Sequence, residues 1–460
     1  MSFLAQQSPL DNNMSENVLI VGCGVFGLST ALSLAQAGYK VTAMDKYPVP
    51  SPWSAATDLN KIIRTEYADL FYSKLSVEAL RQWQSDPLYK YVYVESGRVT
   101  LTPSSKENQH RAKFEQLGIE NLEKCGVDVS EIVTLSSGED LGKLVPQFAD
   151  NAFGEIHAKY NPQAGYGIAY KSLEKVYEEA KRLGVKFVFG SEGTATEIIE
   201  NKGVKTADGK VHSADKIVIA LGAATGYIVN LENQISSMGL FVTHITLSEE
   251  EYQKYKDIPI FFSAEFGYFF PPDADSHEIK IALVYADTKN HIKDPFLAGT
   301  KTSLPRYKDQ NPGDTFPKKG ESHVRILLQK ILPSLANHPL GRSKVCWISD
   351  TPTSDFLIDK LPTSDNIYIA AGDSGHGYKF LPNIGKYIRF KIEGKLEKEM
   401  SERWCWKPNP TWPTQMASSD DPYAVAGSDD STTDEETSAL RLTTANTAAG
   451  IKHKLESFRD

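Results

Sequence analysis

Residues 18–45 contain an apolar run, three spaced glycines, a helix-forming stretch and a second apolar run that ends in an acidic residue. The glycines form the pattern Gly22-x-Gly24-x-x-Gly27, and Asp45 closes the second run. In a βαβ unit these glycines permit a tight turn, close approach of the backbone to a pyrophosphate, and close packing of the helix on the strand. The helix N-terminus attracts the phosphates, and the terminal carboxylate binds the ribose hydroxyls. The segment therefore predicts an adenine dinucleotide site, and Asp45 favours NAD or FAD because it would repel the 2′-phosphate of NADP.

The composition indicates a globular protein of more than one domain. The chain has 460 residues, is 40% hydrophobic and carries a net charge of −9; this length suits about two or three domains. The acidic balance argues against nucleic acid as a partner, and no apolar stretch approaches the ~18 residues of a membrane span. The first 16 residues lack the features of a signal peptide, so we expect a flexible arm and a cytoplasmic protein.

Several segments have a clear secondary-structure pattern. Residues 72–83 and 171–183 show the apolar spacing of amphipathic helices. Residues 214–225 form an apolar run that predicts a central parallel strand. Gly222 at its carboxyl end either sits against a cofactor or belongs to an ordinary turn after a core strand. Residues 243–290 contain short β-patterned pieces separated by turn residues, which favours an antiparallel sheet in a second domain.

Five ordered motifs in residues 17–408 carry a resemblance to a known family. They are the glycine fingerprint, SPWSAATDLNKIIR at 51–64, the strand ADKIVIALGA, KVCWISDTPTSDFLID at 344–359, and AAGDSGHGYKFLPNIGK at 370–386. The chain resembles the FAD-dependent amine oxidases related to monomeric sarcosine oxidase, and most closely the fungal fructosyl amino acid oxidases (amadoriases) and their saccharopine- and pipecolate-oxidising relatives. The resemblance implies FAD, often covalently bound, and oxidation of a secondary amine to an imine with O₂ reduced to hydrogen peroxide.

The resemblance also implies the fold and its division. We expect an α/β protein with an FAD-binding Rossmann-like domain of the GR2 type and an antiparallel-sheet substrate domain. The expected ranges are a flexible arm at 1–16, a discontinuous FAD-binding domain at 17–90, 150–235 and 335–408, a substrate domain at 91–149 and 236–334, and a mostly disordered acidic Ser/Thr tail at 409–460. The tail is rich in Ser, Thr, Asp, Ala and Pro and contains little that could form a core.

Basic side chains are the residues expected to serve this chemistry, because positive charge near a flavin favours its reduced anion. By resemblance, Arg64 and Lys379 bind the substrate carboxylate, and Lys61 lies near the flavin ring. The alternative for Lys61 and Arg64 is a pair that makes surface salt bridges. Lys280 stands between isoleucines in a β-pattern, so it either occupies an exposed face of the strand or is held inward for a purpose. In the related oxidases the matching lysine lies over the flavin and activates oxygen through a water, which makes Lys280 and Lys61 the expected catalytic residues.

The four cysteines, Cys23, Cys125, Cys346 and Cys405, are scattered and predict neither a disulfide framework nor a metal site. By resemblance, Cys346 is the covalent flavin anchor, although a small buried apolar residue is the alternative. Cys405 is the second choice for the anchor, and Cys23 should serve packing in the phosphate loop.

The remaining cofactor contacts are expected in two turns. By resemblance, Ser54, Ala55 and Ala56 form a small-residue turn that passes near the flavin, and Asp373 to Gly375 form a second glycine turn. His376 in that turn is expected to be a structural hydrogen-bonding residue. The full set of expected cofactor-binding residues is Gly22, Gly24, Val25, Phe26, Gly27, Asp45, Lys46, Ser54, Ala55, Lys61, Gly222, Cys346, Asp373, Gly375, Gly377, Tyr378 and Lys379. The aromatic residues Tyr268, Phe269 and Phe270 either wall the substrate pocket or belong to the sheet core.

Two departures from the amadoriase pattern bear on the substrate. Val284 stands where amadoriases carry an acidic residue, and the Ser/Asp tail stands where they carry a basic pair. These differences argue against fructosyl amino acids and favour an N-alkyl or cyclic amino acid. The chain ends in SFRD rather than SKL, so a peroxisomal signal is not expected. We expect a monomer whose partners are an amino-acid-like small molecule and O₂.

Alternative functions remain open from the sequence alone. They are a fructosyl amino acid oxidase proper, an L-saccharopine or L-pipecolate oxidase, an NAD-dependent dehydrogenase, and a non-catalytic flavoprotein.

Overall fold

The computed structural model describes residues 16–102, 109–200, 202–314, 316 and 318–412. Most of the expected N-terminal arm and residues 413–460 of the expected tail lie outside the described residues.

Strands and helices alternate over the first fifth of the chain, and strands dominate the middle. The described strands are β1 (Asn17–Val21), β2 (Lys40–Met44), β3 (Asn60–Ile63), β4 (Tyr93–Val94), β5 (Arg98–Thr102), β6 (Val133–Ser137), β7 (Glu155–Asn161), β8 (Gly165–Ile168), β9 (Lys186–Val188), β10 (Ala195–Ile199), β11 (Gly203–Thr206), β12 (Val211–His212), β13 (Lys216–Ile219), β14 (Ser236–Thr246), β15 (Ile260–Ser263), β16 (Gly267–Phe269), β17 (Glu278–Thr288), β18 (His291–Lys293), β19 (Lys301–Ser303), β20 (Ser343–Asp350), β21 (Leu357–Lys360) and β22 (Ile367–Ala371). The described helices are α1 (Val25–Gln36), α2 (Leu70–Ser85), α3 (Gln109–Lys124), α4 (Gly138–Leu144), α5 (Ala169–Arg182), α6 (Glu249–Tyr255), α7 (Lys318–Ile331), α8 (Ile384–Ile392) and α9 (Lys398–Arg403).

The first sheet has the described strand order β21-β22-β13-β1-β2-β9. Its strands run parallel except β21, which pairs antiparallel with β22. Buried parallel strands need apolar side chains on both faces, and β1, β13 and β22 supply them as VLIV, IVI and IYIAA. The predicted parallel strand within 214–225 is therefore confirmed as β13, which lies between β1 and β22. Helices α1, α5 and α8 pack on this sheet.

Two predicted helices are also confirmed. The pattern at 72–83 lies within α2, where Asp69 accepts a hydrogen bond from the Phe71 backbone N–H at the helix start. The pattern at 171–183 corresponds to α5, and the chain leaves that helix through Gly184 at a φ of +93°.

The second large sheet has the described order β20-β14-β17-β16-β15-β5-β7-β6. Its pairs are antiparallel except for β5 with β15, so the antiparallel sheet predicted for the middle of the chain is confirmed. One face packs against α7 and carries a core that includes Phe148, Phe261 and Phe269. None of the described helices is both long and apolar enough to cross a membrane.

Strand pairing crosses the expected domain bounds at several places. β7 and β20 fall in ranges expected for the FAD-binding domain, yet both pair within the second large sheet. The bounds of the domains therefore stay a prediction. β20 also reaches the first sheet, because the Ser349 backbone N–H donates to Asp373 at 2.8 Å, just after β22. The candidate site lies where the two sheets meet along β20.

Candidate active site

A cavity of about 580 Å³ opens at the carboxyl ends of the parallel strands. Gly22 follows β1, Asp45 follows β2, Gly222 comes after β13 and Asp373 comes after β22, and all four line the cavity. The carboxyl end of an open parallel sheet is where ligands bind in α/β proteins, and the volume falls within the usual range for small-molecule sites.

The first glycine turn leaves no room for larger side chains. Gly22 has a φ of +108°, and a Cβ there would lie 2.4 Å from the Ala220 carbonyl oxygen. A Cβ on Gly27 would lie 1.8 Å from the Gly22 carbonyl oxygen. Gly27 therefore packs α1 against the turn and does not line the cavity.

Gly24 faces the cavity itself. The first atom that a Cβ on Gly24 would meet is Ser54 Oγ at 3.9 Å, so a side chain there would point into open space. α1 begins at the next residue, Val25, with Gly24 as its N-cap. Its first backbone N–H groups and its positive dipole are therefore available to phosphates in the cavity.

Asp45 is fixed beside this turn. One carboxylate oxygen accepts from the Cys23 backbone N–H at 2.7 Å and the other from the Tyr47 N–H at 3.2 Å. Burial raises the pKa of Asp45. Lys46 lines the same end of the cavity and pairs with Asp309 at 3.3 Å.

The second glycine turn is held by Asp373. Its carboxylate accepts from Ser349 through the backbone N–H at 2.8 Å and through Oγ at 2.6 Å, and from the Gly375 N–H at 3.3 Å. Burial raises the pKa of Asp373. His376 Nε2 lies 2.9 Å from the Ser354 carbonyl oxygen, which agrees with a structural role for that histidine.

The small-residue turn at 51–57 is tied down by a lysine from β20. Lys344 Nζ donates to the carbonyl oxygens of Ser54 at 2.7 Å and Thr57 at 2.6 Å. Burial lowers the pKa of Lys344. The turn that carries Ser54, Ala55 and Ala56 therefore lies on the cavity wall in a fixed position.

A buried carboxylate, Asp58, is shared by two lysines. Its Oδ2 lies 2.9 Å from Lys280 Nζ and 3.2 Å from Lys61 Nζ. Although burial alone would raise the pKa of Asp58, the ammonium groups of Lys280 and Lys61 lower it below its usual range. Burial lowers the pKa of Lys280 to about 8 against the attraction of Asp58. One carboxylate thus faces two ammonium groups, and Lys280, at 1% exposure, is the more deeply buried.

Lys61 lies on the cavity wall, whereas Lys280 lies behind it. Lys61 lines the cavity, and its Nζ lies 3.8 Å from the sulfur of Cys346, which lines it too. Lys280 lies behind the wall, where its Nζ donates to the Asn60 carbonyl oxygen and sits 4.4 Å from the centroid of the Phe270 ring.

Arg64 and Lys379 meet through Tyr67. Lys379 Nζ donates to Tyr67 Oη at 2.6 Å and to the His376 carbonyl oxygen at 3.0 Å. The Arg64 guanidinium carbon lies 4.4 Å from the centroid of the Tyr67 ring. Both cations are buried and both line the cavity, so they could hold one carboxylate between them.

Comparison with known proteins decides the family. A sequence model of the family described as FAD dependent oxidoreductase matches residues 17–390. The chain belongs to the FAD dependent oxidoreductase family. It is 39% identical to L-saccharopine oxidase of Schizosaccharomyces pombe, over 86% of its own length and 94% of that protein. It is 23% identical to monomeric sarcosine oxidase of a Bacillus species, over 84% and 94% of the two chains.

Solved structures of fungal oxidases are similar to this oxidoreductase. Fructosyl peptide oxidase from E. terrenum gives a TM-score of 0.80 at 31% identity and covers 86% of this chain and 93% of that one. Amadoriase I from Aspergillus fumigatus gives 0.77 at 32%, with coverage of 86% and 90%. The expected α/β fold with an FAD-binding Rossmann-like domain, the use of FAD and the flavin-dependent amine oxidase class are confirmed. The alternative of an NAD-dependent dehydrogenase is not supported.

The cavity residues of the oxidoreductase suit FAD. Gly222, like Gly24, lines the cavity with bare backbone. It has a φ of +54°, and a Cβ on Gly222 would meet nothing within 4 Å. The turns at Gly24 and Gly222 thus present bare backbone to the cavity, as a dinucleotide requires. No group of three or more His, Cys, Asp or Glu side chains among the described residues could hold a metal ion.

The structure brings most of the expected site residues together. Those on the cavity wall are Gly22, Gly24, Val25, Phe26, Asp45, Lys46, Ser54, Ala55, Lys61, Arg64, Gly222, Cys346, Asp373, Gly375, Gly377, Tyr378 and Lys379. Gly27, Lys280 and Cys405 do not line it. Tyr268 and Phe270 line the cavity, whereas Phe269 belongs to the core of the second large sheet.

Several wall and supporting residues were missed by the sequence reasoning. They include Trp53, Tyr67, Arg98, Phe262, Tyr307 and Lys344. Arg98 begins the strand pattern RVTLT. A charged residue within a strand pattern is the same signal that pointed to Lys280. Tyr67 and Tyr307 have no comparable signal, because their roles depend on contacts with distant parts of the chain.

Proposed function

We propose that this protein oxidises the secondary amine of an amino-acid-like substrate, N-alkylated or cyclic, to an imine and releases hydrogen peroxide. The observation that carries the proposal is that Arg64 and Lys379, joined through Tyr67, line the same cavity as the two glycine turns. A guanidinium and an ammonium so arranged bind a carboxylate. An amino acid would therefore be held by its carboxylate within the cofactor cavity.

Bound FAD would supply a two-electron acceptor that passes the electrons to O₂. Lys61 places positive charge on the cavity wall, and Lys280 places it one layer behind. Fixed charge of this kind stabilises negative charge that develops during reaction, so we assign oxygen activation to Lys280 with Lys61 in support. The rings of Tyr268 and Phe270 line the cavity as well.

A covalent flavin is a second part of the proposal. Cys346 is on the wall, and the ammonium of Lys61 lies 3.8 Å from its sulfur. The thiolate is the reactive form of cysteine. Cys405 lies off the wall, which supports Cys346 over Cys405 as the anchor.

Among candidate substrates, saccharopine is favoured by one observation, the 39% identity to L-saccharopine oxidase of Schizosaccharomyces pombe. The identities to the solved fructosyl-substrate oxidases are 30–32%. Val284 and the Ser/Asp tail argue against fructosyl amino acids. The structure does not describe the side chain of Val284 or residues 413–460 of the tail. An N-alkyl or cyclic amino acid other than saccharopine remains within the proposal.

Anaerobic reduction tests the function directly. Purified holoenzyme is mixed with N-methyl amino acids, pipecolate, saccharopine and fructosyl amino acids, and loss of the oxidised flavin absorbance is recorded. Admission of air should then restore the absorbance and release one peroxide for each amine oxidised. If every amine in the panel leaves the flavin oxidised, the proposal fails.

A monomer in solution is also part of the proposal. Light scattering on the holoenzyme measures the mass, and activity confined to a larger species would contradict this point.

A further inference from the structure

Arg98 is a buried arginine on the cavity wall that the proposed function does not use. It begins β5 inside the second large sheet, pairs with Ile260 and Asn161 on the neighbouring strands, and is 2% exposed. Its guanidinium carbon lies 4.9 Å from the centroid of the Phe262 ring, which also lines the cavity. Because removing a guanidinium from water is costly unless anions compensate it, a carboxylate beside Arg98 is expected.

Arg98 and Arg64 both act electrostatically on one carboxylate, that of Glu66. Although burial alone would raise the pKa of Glu66, Arg98, a hydrogen bond from Asn161 and Arg64 lower it to about 2. The carboxylate accepts from Asn161 Nδ2 at 2.9 Å and from the Thr65 backbone N–H at 3.1 Å. Glu66 does not line the cavity, whereas both arginines do. Glu66 therefore lies off the cavity wall and compensates the charge of both guanidinium groups.

The charge of the wall is unevenly distributed. Among the described residues, the carboxylates on it belong to Asp45 and Asp373, and both accept backbone N–H groups at the glycine turns. Away from those turns, the charged side chains of the wall are cations. They are Lys61, Arg64, Arg98 and Lys379. A substrate with a single carboxylate would engage Arg64 and Lys379 and leave a further guanidinium facing it.

We propose that Arg98 binds a second carboxylate of the substrate, so that the preferred substrates are secondary amines of dicarboxylic amino acids. This inference rests on the proposed function and specifies its substrate class. A planar guanidinium binds a carboxylate through two parallel hydrogen bonds. Phe262 and Tyr268, whose ring centroids are 5.7 Å apart, offer an apolar surface for the carbon chain beside that group.

A matched pair of substrates tests the subsite on unmodified holoenzyme. N-methyl-L-glutamate and N-methyl-L-glutamine have the same shape and differ by one carboxylate. A hydrogen bond to a charged group corresponds to a preference of about tenfold to a hundredfold, so kcat/KM for the glutamate compound should exceed that for the glutamine compound by this factor. Equal kcat/KM values would overturn the inference.

Arg98→Gln tests which residue causes the preference. We expect the loss of kcat/KM for the glutamate compound to exceed the loss for the glutamine compound by at least about tenfold. Arg98→Lys should retain part of the preference. Arg342→Gln is the control, because Arg342 is an exposed arginine that pairs with Glu278 at 2.7 Å and does not line the cavity. If Arg98→Gln lowers kcat/KM equally for both compounds, Arg98 only supports Glu66 and the inference is wrong.

Failure of the subsite and failure of the proposed function give different results. If no secondary amine reduces the flavin, the proposed function fails. Titration of the holoenzyme with glutarate and with glutaric acid monoamide, followed by the flavin absorbance, still decides the role of Arg98. Glutarate should bind at least about tenfold more tightly, and Arg98→Gln should remove the difference. Equal dissociation constants for the two compounds would overturn the inference without any turnover.

Discussion

Asp58→Asn removes the carboxylate that two buried lysines share and leaves the size of the side chain unchanged. In the wild-type protein, Lys280 Nζ lies 2.9 Å from Asp58. At an effective dielectric constant of about 20, an attraction over that distance is about 6 kcal/mol, and loss of one partner of a buried ion pair costs about 3–5 kcal/mol in practice. Lys61 would remain beside Lys280 and repel it.

This energy determines the protonation of Lys280. A loss of about 3–5 kcal/mol lowers the pH at which the Lys280 ammonium loses its proton by about 2–4 pH units. The pKa of Lys280 in the wild-type protein is about 8. The wild-type lysine is therefore mostly charged at neutral pH and loses its charge as the pH rises through about 8. The lysine of the variant is neutral at pH 7 already.

Under the proposed function, the rate constant for reoxidation by O₂ reports this charge. Substrate-reduced enzyme is mixed with oxygenated buffer in a stopped-flow instrument across a series of pH values. The wild-type rate constant should fall as the pH rises through about 8, and the fall in Asp58→Asn should occur about 2–4 pH units lower. Lys280→Met should give a low rate constant without this transition.

Asp275→Asn is the matched control for Asp58→Asn. Asp275 pairs with Lys171 at 2.8 Å, but the pair is exposed to solvent, where ion pairs contribute little. This variant should keep the wild-type pH profile. If the profile of Asp58→Asn superimposes on that of the wild type, Asp58 does not hold the charge on Lys280 and the reasoning is refuted.

Three further predictions concern the cofactor and the substrate. Cys346→Ala should release the flavin into the supernatant when the protein is precipitated with acid, whereas Cys405→Ala should leave the precipitate yellow; release from the second variant alone would assign the anchor to Cys405. Gly27→Ala, whose Cβ would lie 1.8 Å from a backbone carbonyl oxygen, should yield little folded protein by circular dichroism, whereas Gly24→Ala should fold and bind less flavin, and equal yields of holoenzyme would contradict this. Tyr67→Phe removes the hydroxyl that lies 2.6 Å from the buried ammonium of the carboxylate site, and KM should rise by about tenfold to a hundredfold with little change in kcat; an unchanged KM would contradict that role.

The sequence predicted the phosphate turn well because its determinants are local. Gly22, Gly27 and Asp45 lie within one βαβ unit, and each has a steric or electrostatic role that the spacing reveals. The strand β13 could be predicted for a similar reason, since an apolar run of that length suits only a buried environment. The Rossmann-like half of the fold was therefore accessible from pattern alone.

The partners of the buried charges could not be predicted in the same way. The pattern around Lys280 left an exposed and an inward orientation open, and the choice depends on Asp58, which is 222 residues away in the sequence. The contact between Lys379 and Tyr67 spans 312 residues. Arg98 was missed because a strand pattern shows that successive residues alternate between faces but does not show which face borders a ligand cavity.

β20 has a consequence for how the protein could change. This single strand carries Lys344, which fixes the small-residue turn, Cys346, and, one residue before its end, Ser349, which holds the second glycine turn. Strand registers move in steps of one residue, and each step sends every side chain to the opposite face. One residue inserted or deleted between Lys344 and Ser349 would put these functions out of register with one another. Evolution can therefore exchange side chains along this strand, but it cannot alter the strand's length without rebuilding the site.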